Sequence, residues 1–153
     1  MISDGQRDRA ENLCRNAERG GAKLVTGGHR LNQPGSFMAP TVFSDVSSDM
    51  EIAQTEVFGP VLTVLKTTSE SEAIEIANGT DYGLVGGIFT ADIDAAHRAA
   101  RQIRAGQIFI NEWFAGGVET PFGGYGKSGY GREKGREALW NYVQTKNIAY
   151  RTR

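Results

Sequence analysis

The chain has 153 residues, enough for one core of ordinary domain size, and its 39% hydrophobic and 23% charged residues are the balance of a soluble globular protein. Seventeen basic against eighteen acidic residues leave a net charge of -1, without the one-sided basic excess of a surface that tracks phosphates, so nucleic acid is not an expected partner. A single cysteine forbids an intrachain disulfide, Cys14 with His29 and His97 makes no compact set of soft metal ligands, and neither a signal peptide nor a run near the ~20 apolar residues of a membrane span is present; a cytoplasmic protein without metal is expected.

In chain order, Ala10, Leu13, Cys14 and Ala17 recur at i, i+3, i+4 and i+7, a helical stripe that stops at the breaker pair Gly20-Gly21. Cys14 on that stripe reads as a small buried hydrophobe, because a reactive thiol wants a partly exposed, electropositive position. "KLVTGG" and "PTVFSDV" are short strand-like pieces separated by the turn-rich "HRLNQPGSF", and "PVLTVLKT" reads as a buried strand. Ser69 and Glu72 then make an S-x-x-E capping box for a helix carrying Ala73, Ile74, Ile76 and Ala77, after which "GLVGGIFT" is the next strand. Ala96, Ala99, Ala100 and Ile103 stripe a second helix, whose positive end suits Asp92 and Asp94, and Gly106 stops it before the strand "QIFIN". The order β-α-β-α-β predicts parallel neighbours and a layered α/β sheet, its apolar strands covered on both faces. A last helix is expected over residues 132–142, with Ala138, Leu139 and Tyr142 on its apolar side. The extended tail "VQTKNIAYR", residues 143–151, would present an unpaired edge to another chain. One domain over residues 1–142 and an assembly strand over 143–153 are therefore expected.

Residues 121–135, "PFGGYGKSGYGREKG", hold six of the twenty glycines and formally match the dinucleotide fingerprint G-x-G-x-x-G at Gly124, Gly126 and Gly129. A fingerprint needs a strand before, a helix after and an acidic residue about 20 positions on, and no acid follows Glu137. A phosphate-binding G-x-x-x-x-G-K-[ST] ending at Gly126-Lys127-Ser128 would need a glycine where Pro121 stands. Both readings fail. Ligands of open α/β sheets sit beyond the carboxyl ends of the strands, and the segment leaving "QIFIN" there is "NEWFAGGVETPFGG". Its aromatics and glycines suit either a concave apolar pocket or a cap on the sheet edge with tight turns.

Taken together, "GAKLVTGG", "APTVFSDVSSDMEIAQTEVFGPVL", "NGTDYGLVGGIFT", "RAGQIFIN" and "PFGGYGKSGYGREKG" resemble, in order and spacing, the C-terminal part of NAD(P)-dependent aldehyde dehydrogenases. The glycine segment is then similar to that family's P-F-G-G-x-K-x-S-G-x-G-R-E loop, which lies against the active site and touches no phosphate. The resemblance implies an enzyme that oxidises an aldehyde to an acid with hydride transfer to NAD or NADP, working as a homo-oligomer through residues 143–151.

The same resemblance implies roles for individual residues. Glu56 would hold the ribose hydroxyls beside the nicotinamide and Phe58 would flank the nicotinamide ring. Phe122 would be an aromatic wall near the reacting centre, and Glu112, Phe114 and Gly116 would shape the substrate entrance. Glu133 would relay protons or form a structural ion pair, and Arg132 would be structural. Two departures stand out: Gly126 replaces the loop's usual lysine, with Lys127 one place later, and the family's cysteine nucleophile, oxyanion asparagine and glutamate base have no counterpart here, Cys14 being in the wrong motif. The isolated chain is therefore expected to be inactive as an oxidoreductase. The alternatives are a non-catalytic remnant that keeps the fold for assembly, and a glycine-loop nucleotide binder.

Overall fold

A computed structural model of the protein describes residues 1–152. Its elements are α1 (Asp4–Arg19), β1 (Lys23–Thr26), β2 (Thr41–Ser44), α2 (Glu51–Gln54), β3 (Val61–Thr63), α3 (Glu70–Asn78), β4 (Tyr82–Gly83), β5 (Val85–Ile88), α4 (Ile93–Gln102), β6 (Gln107–Ile110), β7 (Tyr125–Gly126) and a 3-10 helix (Arg136–Tyr142). They fall into two compact units, Met1–Ile76 and Ala77–Arg153.

In the first unit α1 starts where Ser3 Oγ accepts a hydrogen bond from the Gln6 N–H, satisfying one of the helix's orphan donors, and it ends at Gly20. The sequence stripe is its buried face: Ala10, Leu13, Cys14 and Ala17 are all inside, and most of them pack with Ala22, Met38, Phe43, Val46 and Ile52 in one core. β1 pairs antiparallel with β2, with a register shift between Leu24 and Thr26, and β2 pairs parallel with β3 from Thr41↔Val61 to Phe43↔Thr63. A buried acid supports this layer. Glu11, 4% exposed, accepts from the Arg30 backbone N–H at 2.8 Å, from Arg30 Nε at 3.1 Å and Nη2 at 2.5 Å, and from Arg15 Nη2 at 3.2 Å. Those bonds hold its carboxyl below the usual carboxylate range, the Arg30 side chain first, against the opposing effect of burial.

The expected capping box at α3 forms in half. Ser69 Oγ accepts from the Glu72 N–H at 3.1 Å, but the Glu72 carboxylate reaches the N–H and hydroxyl of Thr68, both at 2.7 Å, instead of the Ser69 N–H.

In the second unit Asp92 caps α4, its carboxylate accepting from the Asp94 and Ala95 N–H groups at 2.9 and 3.0 Å, and the helix buries Ala96 and Ala99. β5 and β6 pair in parallel from Val85↔Gln107 to Ile88↔Ile110, the crossover expected through α4. β4 pairs antiparallel with β7. One layered sheet was the expectation; the described residues form three small ones, of three, two and two strands. Their faces are also less covered than the strand composition predicts, with Leu62 of β3 and Phe89, just beyond β5, exposed and Phe109 the buried residue of β6. The helix expected over 132–142 is shorter and tighter. Lys134 (φ 57°) and Gly135 (φ 59°) are left-handed, which stops helical geometry before Arg136, and the 3-10 turn that follows buries no residue. Residues 143–152 join no strand ladder among the described residues, so the tail is extended in sequence character without a partner strand here.

Candidate active site

Close packing of the loop against itself and its neighbours explains Gly123, Gly124 and Gly126 of 121–135 and the facing Gly83 and Gly106. Gly129 and Gly131 instead have room for a Cβ and take positive φ of 104° and 81°. A Cβ on Gly106 would overlap the Gly123 carbonyl, one on Gly124 would stand 2.8 Å from the Ser128 carbonyl oxygen, and one on Gly83 would stand 2.6 Å from the Arg104 carbonyl oxygen. Side chains finish the fastening: Gln107 Nε2 donates to the Pro121 carbonyl at 2.8 Å, Arg132 Nη1 to the Gly124 carbonyl at 3.1 Å, and the Gly83 N–H to Ser128 Oγ at 3.1 Å. Arg132 also lies over the Tyr125 ring at 5.1 Å, which fits its structural assignment. No α-helix begins at the fingerprint glycines Gly124, Gly126 and Gly129, and the seven-residue 3-10 helix that follows Gly135 starts beyond them, so they have no α-helical N-terminal dipole for a phosphate. The displaced lysine is engaged elsewhere: Lys127 Nζ pairs with the Asp81 carboxylate at 2.8 Å and its N–H donates to the Asp81 carbonyl.

The loop walls a cleft of about 570 Å³ whose lining includes Phe122, Tyr130, Arg132, Glu133 and Asn141. Phe122 and Glu133 face each other across an isolated antiparallel bridge with two backbone hydrogen bonds of 2.7 Å. Phe114, φ 69° and 60% exposed, packs its ring 6.3 Å from Phe122 and 6.1 Å from Phe109, which also holds Trp113 at 6.1 Å. Gly116 at φ 110° supplies the turn after Phe114 that a side chain would resist. Phe114, Phe122 and Glu133 are thus brought together, while Glu112 stands exposed at the start of the same loop.

Glu56 and Phe58 belong to the first unit, on the loop between α2 and β3. Phe58 is left-handed (φ 55°) and its ring is 61% exposed, yet its backbone is fixed, because Gln6 Nε2 of α1 donates to its carbonyl at 2.7 Å. Gly59 packs close to α1 as well: a Cβ there would lie 3.4 Å from that of Ala10. Glu56 is exposed and has no hydrogen-bond or ion-pair partner among the described residues, and the same is true of the Glu112 and Glu133 carboxylates.

Residues 1–148 match the family described as "Aldehyde dehydrogenase family". The chain belongs to the aldehyde dehydrogenase family. It is 45% identical over 151 residues to an aldehyde dehydrogenase of Emericella nidulans, and 45% identical over 148 residues to a betaine aldehyde dehydrogenase of Cereibacter sphaeroides; these cover 99% and 97% of this chain but 30% and 31% of those proteins. Among solved structures, betaine aldehyde dehydrogenase of Staphylococcus aureus is similar at TM-score 0.92 and 39% identity, over 97% of this chain and 30% of that one. The NAD+ complex of a Bacillus cereus aldehyde dehydrogenase is similar at TM-score 0.90 and 42% identity, over 94% and 29%. The α/β fold and the family resemblance are borne out, and the chain spans about 30% of the length of the curated relatives it matches.

Within this aldehyde dehydrogenase segment the one thiol is no nucleophile. Cys14 is fully buried, and burial first, then the nearby Glu18 and Glu11 carboxylates, push it up to about 11. No group of three or more His, Cys, Asp or Glu side chains among the described residues could hold a metal ion, and no helix is long and apolar enough to cross a membrane. Sequence reasoning missed two contributors. Gln6, which fixes Phe58 from 52 residues away, carries no local signal, and Lys134, which stands over the two loop phenylalanines, looks like one more basic residue in a charged run.

Proposed function

We propose that this chain forms the nicotinamide-side corner and the substrate mouth of an NAD- or NADP-dependent dehydrogenase that oxidises an aldehyde to a carboxylic acid. Phe58 carries the reading: a large ring left in solvent on a backbone locked in a left-handed conformation is a surface prepared for a flat apolar partner. The cofactor, when bound, accepts hydride from the aldehyde carbon. Glu56 fits its ribose, because an unpartnered carboxylate accepts charge-assisted hydrogen bonds from two vicinal hydroxyls, and the Phe58 face fits the nicotinamide without competing for charge. Phe114 and Phe122 line the approach of the aldehyde and exclude water, Gly116 lets the loop turn beside it, Glu112 stands at the entrance, and Glu133 passes protons outward to solvent. Cys14 cannot supply the thiolate, so the 153 residues alone carry out no aldehyde oxidation.

The tail over 143–151, with Ile148 and Tyr150 exposed, is read as an assembly strand between copies, and the lone reduced cysteine supports a cytoplasmic setting. Cys14 equally suits a second reading, an assembly module without catalysis. A graft separates the two. The matched 151 residues are placed in the Emericella nidulans relative in exchange for their counterpart; aldehyde-dependent reduction of NAD+ by the chimera supports the dehydrogenase reading, and a folded, oligomeric but inactive chimera supports the module.

A further inference from the structure

Phe114 and Phe122 share a third side chain. The Lys134 ammonium stands 5.8 Å from each ring centroid, at the apex of a triangle whose base is the 6.3 Å ring pair, tilted by 49°. An ammonium within about 6 Å of an aromatic face is drawn to it by the ring quadrupole. Backbone geometry sets this arrangement: Lys134 and Phe114 are both left-handed, at 57° and 69°, and Glu133, the residue before Lys134, is tied to Phe122 by paired backbone bonds. Among the described residues no carboxylate lies within ion-pair distance of Lys134 Nζ, so the two rings are its partners.

Two tilted rings over one positive charge form the kind of seat that also takes a quaternary ammonium, the group carried by the aldehyde for which the Cereibacter and Staphylococcus relatives are named. Here the chain's own cation fills it. We propose that Lys134 occupies the cation seat of Phe114 and Phe122 and turns this mouth against positively charged aldehydes, so that the substrate class taken is an aldehyde without a positive charge. The proposal rests on the reading of Phe114 and Phe122 as substrate mouth. A second cation would have to displace Lys134 or sit beside it, and like charges a few ångströms apart repel.

The test titrates the full 153-residue chain with tetramethylammonium chloride at constant ionic strength and follows the ring proton resonances of Phe114 and Phe122. In the wild-type chain and in Lys134→Arg, which keeps the charge, the rings should show no saturable shift. Lys134→Asn, suited to the left-handed backbone, should bind the probe at least about threefold more tightly. Lys134→Gln serves in its place if the first variant loses its amide dispersion. Saturable binding to wild type as tight as to the neutral variants overturns the proposal and leaves the dehydrogenase reading intact. Conversely, an opened seat in Lys134→Asn together with an inactive graft removes the aldehyde reading and leaves the Lys134 assignment standing.

Discussion

Gly106→Ala tests whether the glycine loop is seated as the structure shows. A Cβ at this position would overlap the Gly123 carbonyl oxygen and stand 2.8 Å from its carbon and 3.5 Å from Gly124 Cα, so the obstacle is backbone and cannot rotate away. Either the loop or the entry to β6 must move. The loop is tied by Gln107 Nε2 on the Pro121 carbonyl and Arg132 Nη1 on the Gly124 carbonyl, and the strand entry by the Gly106 N–H on the Gly83 carbonyl at 3.0 Å and the Gln107 N–H on the Leu84 carbonyl at 3.1 Å. Losing about two of these at ~1 kcal/mol each, with ~1–3 kcal/mol of overpacking strain, totals about 3–5 kcal/mol. At roughly 2–4 °C per kcal/mol for a chain of this size, Tm should fall by about 10 °C. The amides of β5 and β6 should also lose exchange protection together. Gly5→Ala, in α1 with nothing within 4 Å of its added Cβ, is the control and should gain up to ~1 kcal/mol. Melting of Gly106→Ala within about 1 °C of wild type, with β6 protection intact, would refute the packing argument.

Glu11→Gln should cost about 2 kcal/mol at neutral pH, less than a fully buried ion pair because the Arg30 side chain is half exposed and can return to water. Because the folded-state pKa of Glu11 is depressed, its contribution is present above the ordinary carboxylate value and is lost as pH falls through the folded one; urea melts of wild type and variant should differ at pH 7 and converge in acid. Convergence at pH 7 would remove Glu11 from the supports of the first unit. With Cys14 near 11, labelling of the native thiol at pH 8 by a disulfide reagent should run about a hundredfold slower than in denaturant, and equal rates would show that the thiol is accessible. Truncation after Tyr142 should convert an oligomer into monomer or aggregate by light scattering; a monomeric intact chain at high concentration would end the assembly-strand reading.

What the sequence made legible follows what each residue's environment depends on. The stripe Ala10, Leu13, Cys14 and Ala17 and the acidic start of the second helix at Asp92 and Asp94 are local patterns; the stripe is buried as read, and the structure adds that Asp92 caps the helix. The helix expected over 132–142 is confined to a 3-10 turn over Arg136–Tyr142, because apolar spacing carries no notice that Lys134 and Gly135 are left-handed. Strand composition predicts that an apolar strand is covered without saying by what, and in a chain spanning about 30% of its relatives' length Leu62 and Phe89 stay exposed. For the glycine loop, the absence of the residues a phosphate site requires excludes that site, its place beside an active site is what the resemblance implies, and the structure adds backbone contact at Gly83, Gly106 and Gly124. The positions of Glu56 and Phe58 came from resemblance alone, because the hydrogen bond from Gln6 that fixes Phe58 spans 52 residues.

The nicotinamide-side assignment is tested most directly by single-turnover hydride transfer in the Emericella nidulans graft with and without Glu56→Gln. The substitution keeps the shape of the side chain and weakens a charge-assisted contact by roughly 1–2 kcal/mol, so hydride transfer should slow by about tenfold or somewhat more while binding of the adenine end changes little. An unaltered single-turnover rate in Glu56→Gln would contradict the assignment.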